Sequence, residues 1–261
     1  MSRLVTAFEA IRTSRRPGLV TFTTAGDPTL ERSAEILLAA NRGGADVLEV
    51  GVPFSEPLAD GPVIQRATER ALAGGTTLSA VLEMVGGVRQ QLSAPVVLFS
   101  YANPILRMGV ERFAERAAAA GVDGVLMVDL PLEEAGECRA VYKAHGIDTI
   151  FLLSPTTSNR RIRQTADLSS GFLYAISRLG VTGARNAVAG GTEEMVTRIR
   201  AESTLPVAVG FGISLPEHVQ EVGKWADAAV VGSALVNLIA EAGPAPDVAG
   251  RVEEYVRWLK G

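Results

Sequence analysis

Short runs of Val, Ile and Leu alternate with longer segments of helical spacing from one end of this 261-residue chain to the other. The runs at residues 19–23, 47–50, 96–99, 124–128, 149–153, 172–176, 207–210 and 228–231 are almost continuously apolar. Strands that read this way are covered on both faces, as parallel strands between helices are. Between them, residues 30–41, 110–120, 133–144 and 193–202 put their apolar side chains at helical spacing. Residues 3–13 predict one more helix ahead of the first strand. Eight such units with no break in composition predict one domain over residues 1–261, a single (β/α)8 TIM barrel with an extra N-terminal helix. A doubly wound open sheet is the alternative that local pattern leaves open.

A weak internal repeat supports the barrel. Gly44-Ala45-Asp46, Gly121-Val122-Asp123 and Trp225-Ala226-Asp227 each end a helical segment and lead straight into a strand, and Gly146-Ile147-Asp148 repeats the opening. The same turn chemistry at the same point of a βα unit indicates one unit used many times.

Composition removes several classes of function. Net charge is −4, with no basic block and no basic–aromatic patch, so nucleic acid is not an expected partner. No apolar run approaches the roughly 18 residues of a membrane span, and the N-terminal residues lack the long apolar stretch of a secretion signal. The one cysteine, Cys138, suits a reducing cytoplasm. Cys138 reads as a packed thiol within a helix. His145 ends a helical segment and His218 begins one, where each reads as an ordinary end-of-helix residue. Lys143 and Lys224 fall in helical segments and Lys260 is next to last, so no Schiff-base lysine is expected at a strand end. Two His and one Cys, widely separated, give no zinc set, and no metal is expected.

Acids remain. Glu49 interrupts the apolar run Val47-Leu48-Glu49-Val50. Alternation puts Leu48 and Val50 on one face and Glu49 on the other, towards the interior of a barrel and its mouth. Burying an unpaired carboxylate is costly, so such a residue has a job or a structural partner. Asp60 follows on a loop, in Leu58-Ala59-Asp60-Gly61-Pro62, where it suits either turn chemistry or catalysis. Asp27, before Pro28, is a candidate helix cap, and Asp129 ends the fourth strand. An interior Glu and a loop Asp together suit general acid–base work, which needs two groups whose surroundings push their proton affinities apart. After the seventh and eighth strands come Gly210-Phe211-Gly212-Ile213-Ser214 and Gly232-Ser233-Ala234. Glycines there let backbone N–H groups approach an anion at a helix N-terminus, and Ser233 adds a hydroxyl, so a phosphate site is expected. After the sixth strand, residues 178–191 form a long Gly-containing loop that reads as a lid.

Several blocks carry a family resemblance. They are Thr24-Ala25-Gly26-Asp27-Pro28, the stretch 48–62, Ser177-Arg178 with Gly180-Val181-Thr182-Gly183, and the two phosphate turns. Over essentially its whole length the chain resembles the tryptophan synthase α subunits. The resemblance implies a (β/α)8 barrel that cleaves indole-3-glycerol phosphate to indole and glyceraldehyde 3-phosphate. It makes Glu49 the acid/base and Asp60 the group that holds the indole N–H. It places Phe22, Ile64 and Tyr174 in or near the indole pocket, and Thr182 and Gly183 in a closing lid, with Thr182 against Asp60. Gly183, Gly212, Gly232 and Ser233 would bind the phosphate. It implies no cofactor in this chain, and a partner β subunit that carries pyridoxal phosphate in an α2β2 complex. The chain departs from the family pattern at Thr21, at Glu56, where Asp is usual, and at Ser100-Tyr101-Ala102, which lacks paired tyrosines. Glu56 and Asn103-Pro104 lie where the family docks its partner. A stand-alone lyase, another phosphosugar barrel, and a silent barrel that only activates a partner remain as alternatives. Retention of Glu49 and Asp60 argues against the last.

Overall fold

The computed structural model describes residues 2–176, 191–210 and 212–261. Its parallel strands are β1 (Gly18–Thr24), β2 (Val47–Gly51), β3 (Val96–Ser100), β4 (Gly124–Met127), β5 (Asp148–Ile150), β6 (Leu152–Leu153), β7 (Leu173–Ile176), β8 (Val207–Gly210) and β9 (Ala228–Val231). They pair in the order β5-β4-β3-β2-β1-β9-β8-β7-β6. The helices are α1 (Arg3–Ser14), α2 (Leu30–Gly43), α3 (Pro62–Ala73), α4 (Leu78–Val88), α5 (Ala102–Met108), α6 (Val110–Ala119), α7 (Ala135–Ala144), α8 (Asn159–Leu168), α9 (Thr192–Glu202), α10 (Pro216–Val222), α11 (Ser233–Ala242) and α12 (Val248–Lys260).

The ends of the strand order, β5 and β6, are consecutive in sequence and separated only by Phe151. The fifth barrel strand is therefore broken at one residue, where sequence predicts it continuous, and the chain itself closes the circle. This topology is a (β/α)8 barrel; an open doubly wound sheet would leave its two edge strands apart.

The barrel strands alternate between two apolar layers. Leu48, Val50, Val96 and Leu98 join the large cluster between barrel and helices. Val20, Val47, Val97, Leu126, Ile150, Tyr174, Ala208 and Val230 form a second cluster inside the barrel. Leu4, Phe8 and Ile11 of α1 belong to that inner cluster. They fall on one face of a helix whose N-terminus is capped by Ser2, its hydroxyl accepting from the Val5 N–H (3.2 Å). The extra helix thus plugs the N-terminal end of the barrel, and the Phe8 ring lies 5.2 Å from that of Phe172.

The repeated Asp has a structural task. Asp46, before β2, accepts from the Leu19 N–H of β1 (2.7 Å). Asp123, before β4, accepts from the Val96 N–H of β3 (2.8 Å). Asp227, before β9, accepts from the Val207 N–H of β8 (2.8 Å). Each carboxylate satisfies an N–H at the start of the preceding neighbour strand, the first of β3 and β8 and the second of β1, and so pins their register. Asp123 and Asp227 also hold Arg3 and Arg12 of the plug helix, each at 2.9 Å.

Two local expectations are corrected. Asp27 does not cap α2; Thr29 does, accepting from the Arg32 N–H (3.2 Å). Asp27 is instead buried in a two-point pair with Arg70 of α3, at 2.8 Å on both oxygens. Lys224 lies in a turn beyond α10, because that helix stops at Val222. Among the described residues, no single helix is long and apolar enough to cross a membrane.

The Asp227 pin predicts an asymmetric cost. Asp227→Ala leaves the Val207 N–H buried without its acceptor and should lower stability by about 3 kcal/mol. Arg12→Ala breaks only the half-exposed ion pair and should cost at most about 1 kcal/mol. Urea unfolding of the two variants checks this; equal losses would contradict the pinning role.

Candidate active site

Glu49 sits in the middle of β2, aligned with Phe22 of β1 and Val97 of β3. Leu48 and Val50 pack outward, so Glu49 points into the barrel, as alternation predicts. Its side chain is 0% exposed, and neither carboxylate oxygen has a hydrogen-bond partner among the described residues. Dehydration, reinforced by the charge of Asp60, pushes its carboxyl up to about 8. At neutral pH Glu49 therefore carries a proton.

Asp60 reaches the same region from the loop between β2 and α3. Its carboxyl is raised to about 6, because burial outweighs the hydrogen bond from Tyr101. The Tyr101 hydroxyl donates to Asp60 Oδ2 (3.1 Å) and accepts from the Ala59 N–H (3.0 Å). Gln65 of α3 donates to the Asp60 main-chain oxygen (2.9 Å) and steadies the loop. The two acids thus differ at neutral pH, one protonated and one ionised, as their unlike surroundings require. Tyr174 of β7 lies within the field of Glu49; burial, then that charge, hold its phenol well above the ordinary value.

On the same side of the barrel as the acids is an apolar cluster. Phe22, Ala67 and Val236 cluster with Val63, Ile64 and Phe99. The Phe22 and Phe99 rings meet edge to face at 5.3 Å. They flank Gly51, which aligns with Phe99; a Cβ at Gly51 would lie 2.6 Å from the Phe22 ring. A Cβ at Gly210 would likewise lie 2.6 Å from the Tyr174 hydroxyl. Both glycines therefore make room for aromatic side chains at the mouth.

At the C-terminal ends of β8 and β9, Gly212 takes a left-handed conformation (φ +62°) that a glycine accepts without strain. Gly232 caps α11, which has no side-chain cap, and Ser233 is its first residue. N–H groups at a helix start have no partner within the helix and favour an anion.

The structure thus gathers Glu49, Asp60, Phe22, Ile64 and Tyr174 at one mouth, with Gly212, Gly232 and Ser233 at the strand ends nearby. Thr182, Gly183 and residues 178–190 of the loop that sequence reads as a lid lie outside the described residues. Sequence marks Tyr101 only as part of a stretch that departs from the family pattern and gives Phe99 no site role; their position at the C-terminal end of a barrel strand is the signal that points to them. Asp129 accepts from the Ala102 N–H (2.7 Å), in the turn just past β4, and serves the start of α5. Among the described residues no three His, Cys, Asp or Glu side chains gather as metal ligands.

Residues 8–260 match the family model for the tryptophan synthase alpha chain. A relative from Solibacter usitatus, a tryptophan synthase alpha chain, is 46% identical, covering 100% of this chain and 97% of the relative. The crystal structure of tryptophan synthase subunit alpha from Legionella pneumophila superposes with a TM-score of 0.92 at 38% identity, over 100% of this chain and 97% of that one. That of tryptophan synthase from M. tuberculosis, in an aminoacrylate-bound form, gives 0.89 at 34% identity, over 100% and 98%.

Burial of Glu49 sets a sign for stability against pH. A carboxyl whose folded value is raised stabilises the fold fully below its unfolded value of about 4.5; that contribution is lost as pH rises through about 8. Glu49→Gln, neutral at every pH, should therefore gain far more stability over the parent chain at pH 8 than at pH 5. Thermal melts across that range check it; a constant difference would contradict a proton held by burial.

Proposed function

The chain belongs to the tryptophan synthase alpha chain family, lyases that cleave indole-3-glycerol phosphate to indole and glyceraldehyde 3-phosphate, and on that premise we propose that Glu49 moves the protons while Asp60 holds the ring nitrogen. Glu49, protonated, delivers its proton to indole C3. The ring nitrogen becomes positive, and the ionised Asp60 stabilises its N–H. The glycerol hydroxyl next to the ring then gives its proton to the Glu49 carboxylate. The C–C bond breaks, its electron pair returns to the indole ring, and the aldehyde forms. Glu49 ends as it began, protonated, and no metal or Schiff base is needed.

The observation that carries this reading is a fully buried carboxyl, without a hydrogen-bond partner among the described residues, that feels the charge of a second acid near an apolar cluster. Phe22 and Ile64, with Phe99, flank the indole, and Tyr174 bounds it. Gly212, Gly232 and Ser233, joined by Gly183, bind the phosphate, while Thr182 closes over Asp60. The chain acts as one domain over residues 1–261 and itself uses no cofactor. Its lysines support that: Lys143 is in α7, Lys224 in a turn and Lys260 at the end of α12, none at a barrel mouth.

A β subunit carrying pyridoxal phosphate is the partner, in an α2β2 complex in the cytoplasm. The exposed side chains of Leu58 and Leu106, 89% and 55% accessible, support docking beside the mouth. Glu56 is exposed on the same loop as Leu58. A large rate increase on adding a cognate β subunit with serine and pyridoxal phosphate is expected; no change favours a stand-alone lyase.

The kinetics have a defined shape. kcat/KM should rise as Asp60 ionises near pH 6 and fall as Glu49 loses its proton near pH 8, the two limbs belonging to the coupled pair. Glu49→Gln should keep substrate binding and lose turnover by about 10²–10⁴-fold. Near-normal cleavage by that variant would sink the assignment.

A further inference from the structure

The geometry points to Tyr101 as the positioning residue of Asp60: its hydroxyl, held by the Ala59 amide, ties one carboxylate oxygen to the end of β3 and leaves the other for the substrate. The inference rests on the role proposed for Asp60.

Asp60 is carried on a loop in which Ser55, Glu56, Leu58 and Ala59 are all exposed. A carboxylate on such a loop has many orientations unless something outside the loop fixes it. Gln65 fixes the main chain, not the side chain. Tyr101 reaches the side chain, at 3.1 Å from Oδ2. Tyr101 itself is 5% exposed and held on every side. Its ring packs on Phe54, with centroids 5.0 Å apart. Its carbonyl accepts from the Ser100 hydroxyl (2.9 Å), and the next amide, of Ala102, donates to Asp129 (2.7 Å). The Ala59 N–H donates to the phenol oxygen, so the phenol's own proton is directed at Asp60. Burial and then the charge of Asp60 keep the phenol well above its ordinary value, so it remains a donor at working pH.

The bond favours the ionised form of Asp60, the form that accepts an N–H. The ionisable groups around this pair are Glu49 on β2, Asp129 after β4, which acts on Tyr101, and Tyr174 on β7, which faces Glu49. Losing the hydroxyl should leave Glu49 as it is and make Asp60 harder to ionise. A hydrogen bond to a charged group is worth about one to two pKa units.

The test is the pH dependence of kcat/KM for indole-3-glycerol phosphate cleavage by the full chain. Tyr101→Phe, which keeps the ring on Phe54, should move the acid limb upward by about one pH unit. It should leave the alkaline limb in place, so the loss is about fivefold at pH 6, approaches tenfold at lower pH and shrinks towards pH 7.5. Phe54→Leu, which keeps the hydroxyl, should leave the acid limb where it is. An unmoved acid limb in Tyr101→Phe, or the same fractional loss at every pH, would overturn the proposal. Asp60→Asn separates the two readings. An acid limb that persists there contradicts the role of Asp60 itself. A limb absent there but unmoved in Tyr101→Phe contradicts only the role of Tyr101.

Discussion

Glu49 is a carboxyl sealed from water with neither oxygen hydrogen-bonded among the described residues, and much of the architecture serves to keep it so. Dry surroundings require a barrel whose lower interior is full. Leu4, Phe8 and Ile11 of the N-terminal helix and the inner strand residues fill it. They also require a fixed register, because a one-residue slip of β2 would turn Glu49 into the helix layer and Leu48 into the barrel. Asp46, Asp123 and Asp227 hold neighbouring strands in step by taking N–H groups at their starts. An uncompensated carboxyl costs stability, and the barrel bears that cost where the reaction needs a proton.

The second acid gains its difference from where it is attached. Glu49 is on a strand, in the interior. Asp60 is on a loop at the rim, with a phenol hydroxyl directed at it. Two carboxyls near each other would ordinarily ionise in competition. Here dehydration of one and hydrogen bonding of the other separate them, so a proton donor and a carboxylate coexist at neutral pH. The apolar cluster of Phe22, Phe99 and Ile64 lies on the same side, and Gly51 leaves room for the Phe22 ring. A flat aromatic substrate then presents C3 to one acid and N1–H to the other.

Much of this was legible in the sequence because it depends on local period. Continuous apolar runs marked the strands, and alternation around Glu49 gave its face. The glycines at 212 and 232 marked the turns after the last two barrel strands. What was not legible depends on pairs far apart in the chain. The Asp repeat was visible, but its partners are strand N–H groups 20 to 27 residues away and arginines of the plug helix up to 215 away. Asp27 looked like a cap because it precedes Pro28; its partner Arg70 is 43 residues on. The place of Tyr101 at a strand end is legible, but its partners, Asp60 and Ala59, are 41 and 42 residues away. The break at Phe151 left no trace in an unbroken apolar run.

The protonation of Glu49 at neutral pH is open to direct observation. Infrared difference spectra of the chain against Glu49→Gln, taken from pH 5 to 10, isolate the carbonyl stretch of that one carboxyl. A protonated-carboxyl band present at pH 7 and lost near pH 8 is the expected result. A carboxylate signal already complete at pH 6 would contradict a proton donor kept neutral by burial.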